Sequence, residues 1–120
     1  MRGLRSGLLA IIALLVTAVI ASALELPPKP EVRVNDYAGV LDAGARQALE
    51  AELAAFETRT SNQVVVATFP SLEDESLEDF TVRLFDKWDL GQKGRNNGVL
   101  LLVFMADKKI RIEVGYGLEG

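Results

Sequence analysis

The 120-residue chain contains no cysteine and no histidine, and these two absences exclude several classes of function. Without cysteine there is no disulfide framework, so a hydrophobic core has to hold the fold together. Without histidine there is no Ser-His-Asp triad, no Cys-His pair, no histidine phosphoenzyme and no ordinary zinc site. Any chemistry therefore has to use carboxylates, hydroxyls, lysine, arginine, backbone amides or a hard metal ion.

Positive charge is also scarce. Thirteen Lys and Arg residues stand against seventeen Asp and Glu residues, which gives a formal net charge of -4. An acidic surface argues against nucleic acid as a partner, because phosphates need a basic footprint. It also argues against electrostatic docking on anionic lipid.

The first 23 residues are typical of an export signal rather than of a fold. Arg2 and Arg5 form a positive start, residues 8–20 form an apolar run broken only by Thr17, and Ala21-Ser22-Ala23 is an A-x-A cleavage site. Cleavage would remove two positive charges and no acids, moving the net charge from -4 to about -6. The alternative is an uncleaved membrane anchor, for which the run is short, since a span needs about 20 residues.

Residues 24–30 (L-E-L-P-P-K-P) read as an extended, mobile proline-rich linker, with the folded domain predicted at 31–120. Apolar residues at helical spacing predict a first helix over 42–58, with Asp42 as its N-cap. A second helix is expected to start near Ser76 and to stop at Gly91.

Four segments have the pattern of strands. Residues 31–34 predict a short edge strand, and 63–69 and 98–104 are almost wholly apolar, which is typical of strands covered on both faces. Residues 109–114 alternate, with the apolar side chains on one face and the charged ones on a wet face. The order β-α-β-α-β-β predicts a small α/β sandwich with a mostly parallel central sheet and an antiparallel edge hairpin.

Two glycine-rich loops follow the second helix and the last strand. Residues 91–98 (G-Q-K-G-R-N-N-G) could hold an anion, but the loop leaves a helix and enters a strand, unlike a Walker loop, so a helix stop and connector is the favoured reading. Residues 115–120 (G-Y-G-L-E-G) match the letters of a dinucleotide fingerprint but follow the last strand, which argues against a nucleotide cofactor. These glycines are better explained by a sharp bend that brings Glu119 beside the first loop.

Acidic residues also stand at 73–75 and 78–79, where they are expected to form a solvated helix start that meets the positive end of the helix dipole. Asp36 follows the first extended segment and could ligate a metal or bond the amides of its own turn, and composition favours the turn.

With these segments in place, the chain resembles the TPM-domain family of bacterial envelope and thylakoid-lumen repair proteins. The matching segments are V-N-D-Y-A-G-V-L-D at 34–42, Q-V-V-V at 63–66, D-L-G-Q-K-G-R-N-N-G-V-L-L-L-V at 89–103 and R-I-E-V-G-Y-G-L-E-G at 111–120. The resemblance implies an exported α/β sandwich, periplasmic or on the outer face of the cytoplasmic membrane.

In some members of the family the resemblance also implies calcium or magnesium binding and a weak acid phosphatase activity. Carried over to matching positions, the metal ligands would be Asp36, Asn97 and Glu119, with Lys93 and Arg95 as possible anion contacts. The leading hypothesis is a non-catalytic cation-binding module that supports assembly or repair of membrane-protein complexes, with unidentified envelope partners. The alternative is a metal-assisted phosphatase.

Two features limit this transfer. The family's domain continues past the glycine motif into a helix that begins with another acidic residue, so the sequence is expected to be a truncated member or a fragment. The predicted topology also places Asp36 near the carboxyl ends of the parallel strands and the glycine loops at the other end. A shared site would require the segment 36–41 to cross part of the sheet.

Overall fold

The computed structural model describes residues 24–119, so the predicted export signal and Gly120 lie outside the described residues. Six regular elements follow one another in the predicted order. They are β1 (Val34–Asp36), α1 (Ala43–Thr60), β2 (Gln63–Phe69), α2 (Leu77–Trp88), β3 (Gly98–Phe104) and β4 (Lys109–Val114), followed by a 3-10 turn at Tyr116–Leu118. Within 24–119, no helix is long and apolar enough to cross a bilayer.

The four strands form one sheet in the order β1-β2-β3-β4. β1, β2 and β3 run parallel, while β3 and β4 form an antiparallel hairpin. The predicted α/β fold with its antiparallel edge hairpin is therefore confirmed. β1 begins three residues later than predicted, since the backbone N–H groups of Arg33 and Val34 both donate to the Glu50 carboxylate of α1.

The hydrophobic core lies between α2 and one face of the sheet. Alternate residues of β2 and β3 point to that face, where Phe69 and Phe104 stack with ring centroids 5.4 Å apart. Phe80 of α2 meets both rings edge-on, at 5.4 and 5.7 Å. The helix stripe at i, i+4 and i+8 (Phe80, Leu84, Trp88) is fully buried, so α2 is the amphipathic helix that its spacing predicts.

α1 packs in a different way. It lies over β1 and β2 on the opposite face, where Leu53 and Phe56 approach Val64, yet none of its eighteen residues is buried. Its main anchor is polar: the guanidinium of Arg33 contacts Glu50 at 3.3 Å and Glu57 at 2.8 Å. The carboxylates of Glu50 and Glu57 thus hold the helix against the sheet edge.

The alternation in β4 is reversed relative to the prediction of a wet charged face. The register pairs Arg111 with Leu102 and Glu113 with Leu100, so the charged side chains share the face that α2 covers. Ile110 and Ile112 lie on the other face and are 66% and 58% exposed. α1 packs mainly on β1 and β2, so among the described residues the apolar side of β4 is left exposed and that of β3 is half-buried.

The proline-rich segment 24–30 lies along α2. Leu24 and Leu26 pack against the core, and the Pro27 carbonyl accepts a 2.9 Å hydrogen bond from the indole N–H of Trp88. Lys87 donates to the Leu26 carbonyl at 2.8 Å. The segment has no regular secondary structure, and its leucines contribute to the cover of the core.

This contact gives a direct optical test, because Trp88 is the single tryptophan of the chain. Leu26→Ser is expected to destabilise the fold by about 1–2 kcal/mol, since it removes a half-buried aliphatic side chain from the core edge. It should also shift the Trp88 emission to longer wavelength as water reaches the indole. Pro28→Ala, at an exposed neighbouring position, is the control and should change neither quantity.

Candidate functional site

The two glycine-rich loops meet at one end of the sheet, where β3 begins and β4 ends. Gly115 N–H donates to the Gly98 carbonyl at 2.8 Å, and Gly117 N–H donates to the Asn96 carbonyl at 2.9 Å. A Cβ on Gly115 would overlap the Asn96 carbonyl oxygen, and one on Gly117 would overlap that of Arg95. The G-Y-G motif is therefore glycine because two backbone segments touch there.

Asn97 fastens the first loop. Its Oδ1 accepts from Gln92 N–H at 2.7 Å, and its Nδ2 donates to the Ser61 carbonyl at 2.7 Å. Gln63 makes a second contact of the same kind, because its Oε1 accepts from Gly91 N–H at 2.7 Å. Asn97 is buried, and its amide links the loop to the end of α1. This arrangement accounts for an asparagine at position 97 without a metal.

A cavity of about 420 Å³ opens beside these loops, between the second half of α2 and the edge formed by β4 and the 3-10 turn. Four acidic residues line it, Asp86, Asp89, Glu113 and Glu119, and within residues 24–119 no Lys or Arg is among its lining residues. The polar residues Asn96 and Tyr116 and the apolar residues Val82 and Phe85 also line it.

The predicted ligand Glu119 thus lies at this cavity, together with three acids that sequence reasoning missed. Asp86 and Asp89 carry a weak signal, since they stand three residues apart at the end of α2 and therefore on one side of it. Glu113 carries none, because its strand pattern predicts solvent exposure. The predicted anion contacts Lys93 and Arg95 are exposed on the loop that leads into Asn96.

Asp36 lies at the opposite end of the sheet. Asp36 pairs with Thr68 of β2, and Gly98 pairs with Gln63 of the same strand. Thr68 and Gln63 are five residues apart, so the two ends of the sheet lie about 17 Å apart at ~3.4 Å per residue. The segment 36–41 does not cross the sheet but turns back at Gly39, whose N–H donates to the Asp36 carbonyl. Asp36 and Asn97 are therefore not brought together.

Both oxygens of the Asp36 carboxylate have structural partners. Oδ1 accepts from the Thr68 hydroxyl at 2.5 Å and from Val40 N–H at 3.1 Å, and Oδ2 accepts from Leu41 N–H at 2.9 Å. The Thr68 hydroxyl, followed by these amides, lowers the pKa of Asp36 below its usual value. Asp36 acts here as the acceptor that closes its own turn, the alternative that composition favours.

A single ion bound by Asp36, Asn97 and Glu119 together does not fit this arrangement. Within residues 24–119, no three acidic side chains are close enough to share an ion as they stand. The acidic cavity is the better candidate for a hard cation, because four acidic residues line one space and carboxylate oxygens are the ligands that such a cation prefers. Its carboxylates would have to converge, or bind through water.

The fold is similar to those of two solved protein domains. The chain is similar to the N-terminal domain of a protein from P. gingivalis, solved by solution NMR, at 33% identity and a TM-score of 0.67, covering 81% of this chain and 68% of that one. It is also similar in fold to the N-terminal domain of the cg2496 protein from Corynebacterium glutamicum, at 15% identity and a TM-score of 0.62, covering 82% and 64%. No curated protein gives a significant match.

The chain thus spans about two thirds of each of these domains. A family model described as the TPM domain matches residues 34–120, which include both glycine loops, the Asp36 turn and Glu119. The chain therefore belongs to the TPM-domain family.

Proposed function

We propose that this chain is an exported, non-catalytic module that binds calcium or magnesium in the acidic cavity and supports assembly or repair of membrane-protein complexes. The observation that carries the proposal is the grouping of Asp86, Asp89, Glu113 and Glu119 around one cavity without a basic lining residue. The predicted export signal and the family resemblance motivate the proposal that it acts in the cell envelope.

Electrostatics favours a cation in this cavity. Arg111 lies 3.7 Å from the Glu113 carboxylate and offsets part of its charge, while a divalent ion would be attracted by the negative charges of Asp86, Asp89 and Glu119 that line the same space. Calcium accepts six to eight oxygen ligands, including water, in flexible geometry, so it tolerates a site whose acids stand apart before binding. Magnesium demands a stricter octahedron and keeps more of its waters, so calcium is the expected preference.

Calcium titration tests the proposal. Millimolar calcium should raise the melting temperature of the purified protein, because a ligand that binds only the folded state adds about 2.7 kcal/mol at a hundred times its Kd. Asp86→Asn and Glu119→Gln should each remove most of this rise. Glu78→Gln, an exposed acid in the first turn of the same helix, is the matched control and should keep it.

Equal calcium responses in the Asp86→Asn, Glu119→Gln and Glu78→Gln proteins would place any binding outside the cavity. An unchanged melting temperature in the unsubstituted protein at millimolar calcium would reject the cation-binding part altogether. Potassium chloride at matched ionic strength separates a specific ion from general screening.

The runner-up is a metal-assisted acid phosphatase. Its support is the position of Lys93 and Arg95, whose loop leads into the cavity-lining Asn96, where they could neutralise phosphate charge. Such an activity should fall in Glu119→Gln and in Lys93→Gln but survive Asp36→Asn, provided that variant still folds. Aryl-phosphate hydrolysis that none of these substitutions alters would come from a contaminant.

A further inference from the structure

β4 is an edge strand with an unpaired outer side. The Gly115 N–H to Gly98 carbonyl bond fixes the alternation of the antiparallel ladder. Residues 109, 111 and 113 therefore direct their backbone groups to β3. The N–H and C=O groups of Ile110, Ile112 and Val114 point away from the sheet, where no strand follows within residues 24–119.

The sequence of β4, K-I-R-I-E-V, is complementary to itself when read in the opposite direction. If two copies run antiparallel with Ile112 opposite Ile112, then Ile110 faces Val114 twice and Arg111 faces Glu113 twice. Sliding one strand by two residues in one direction puts Arg111 opposite Arg111. Sliding it the other way puts Glu113 opposite Glu113. The shift that puts Arg111 opposite Arg111 also brings Lys109 opposite Glu113, but only the centred register pairs opposite charges without placing like charges face to face. Like charges directly opposite destabilise a strand pair.

The same register also suits the backbone. It makes Ile110, Ile112 and Val114 the hydrogen-bonded positions, and these are the residues whose backbone groups point outward, so six inter-strand hydrogen bonds form. Arg111 and Glu113 then occupy the non-hydrogen-bonded pairs, where facing side chains come closest. Backbone direction thus excludes shifts by an odd number of residues, and the charge pattern favours the centred register among those that remain.

The Arg111 side chain has an unsatisfied hydrogen-bond donor to which this pairing would bring an acceptor. Its Nε is buried and has no hydrogen-bond partner among the described residues, and its own Glu113 lies 3.7 Å from Nη2, too far for a hydrogen bond. A buried unpaired donor costs about 1–3 kcal/mol. A carboxylate arriving from a facing strand would offer acceptors to this guanidinium.

We propose that β4 pairs antiparallel with β4 of a second copy of this chain, centred on Ile112, and forms a two-fold dimer with one continuous eight-stranded sheet. The interface is isologous, with the same strand on both sides. The pairing also brings the exposed Ile110 and Ile112 of both copies together on the open apolar face, which partly covers them. The charged residues of β4 limit this pairing to the matched register, whereas a wholly apolar edge would aggregate.

A charge-swap series tests the proposal on the purified full chain, with chelator present so that the acidic cavity holds no added cation. The unsubstituted protein is expected to double its mass in sedimentation equilibrium as its concentration rises toward about 1 mM. Arg111→Glu and Glu113→Arg should each stay monomeric, because like charges then face each other. The double variant should dimerise again, since it exchanges the charges and restores complementarity.

An equimolar mixture of the two single variants should form a heterodimer, because every facing pair is then opposite in sign. Single variants that are folded by circular dichroism, remain monomeric alone and still fail to associate when mixed would overturn the proposal. A monomeric unsubstituted protein at about 1 mM would overturn it as well.

Cysteine crosslinking checks the register, because the chain has no cysteine of its own. Ile112→Cys should form a disulfide-linked dimer on mild oxidation, since facing Cα atoms of a hydrogen-bonded pair lie about 5.5 Å apart. Ile110→Cys is the control at an equally exposed site and should crosslink at least tenfold less, because it faces Val114. Equal crosslinking of both variants would contradict the centred register.

Discussion

Gly115→Ala is expected to destabilise the domain by about 2–4 kcal/mol, although it adds a single methyl group. The added Cβ would overlap the Asn96 carbonyl oxygen, which belongs to backbone and cannot rotate aside as a side chain could. Either β4 separates from β3 at this end, or the loop before β3 shifts. Urea denaturation monitored by Trp88 fluorescence measures the loss as a lower midpoint at an unchanged slope.

Gly44→Ala is the control for this prediction. Gly44 lies in α1, and a Cβ there would only touch the Asp42 carboxylate at 3.4 Å. Alanine is a better helix former than glycine by about 1 kcal/mol, so this substitution should stabilise the protein. The same chemical change is thus expected to have opposite signs at two sites. A neutral Gly115→Ala would mean that the loops do not touch as described.

Glu50→Gln is expected to cost about 2 kcal/mol at neutral pH. The Glu50 carboxylate accepts from the N–H groups of Arg33 and Val34 at 2.9 and 2.8 Å and contacts the Arg33 guanidinium, and hydrogen bonds to charged groups are the stronger ones. Because α1 has no buried residue, the loss of this anchor should free the helix from β1. Amide hydrogen exchange across α1 would detect that release.

The effect of Glu50→Gln should depend on pH. Partial burial alone would raise the pKa of Glu50, but hydrogen bonds from the amides of Arg33 and Val34 and the Arg33 guanidinium outweigh it and lower the pKa. A carboxyl whose folded pKa is lowered stabilises the fold above its unfolded pKa, and this contribution disappears as the pH falls through the folded value. The difference between the two proteins should therefore shrink below about pH 4.5.

Glu52→Gln, an exposed acid on the same helix, is the control and should leave stability within about 0.5 kcal/mol at every pH. A Glu50→Gln protein as stable as this control at pH 7 would show that apolar contacts, and not the Arg33–Glu50 pair, hold α1 in place.

Local sequence pattern was sufficient for the type and order of the elements, although β1 begins three residues later than predicted and the covered face of β4 is the charged one. The apolar runs of β2 and β3 were found with their limits, because a buried strand needs continuous apolarity and punctuation at its ends. The caps at Asp42 and Ser76 were found as well, because capping depends on residues within one turn. For α1, periodicity did not predict the contacts of Glu50 and Glu57 with Arg33. Arg33 lies too far away in the sequence for a local pattern to indicate these contacts.

The candidate site was only partly predictable. Glu119 could be named from the family resemblance, but its cavity neighbours Asp86, Asp89 and Glu113 come from another helix and strand. Their grouping depends on how α2 crosses β4, which is a long-range packing outcome. Asp36 shows the opposite error. Its residue type suits a metal ligand, but the direction of the strands places it at the end of the sheet far from Glu119.

The sequence by itself determined the element types, the α/β class, the exclusion of histidine and cysteine chemistry, and the family. These follow from composition, short-range periodicity and motif order. The tertiary structure alone decided which face of β4 is covered, which acids share a cavity, and why G-Y-G is glycine. Each of those depends on the approach of segments far apart in the chain, where the register and direction of strands set distances that no local pattern specifies.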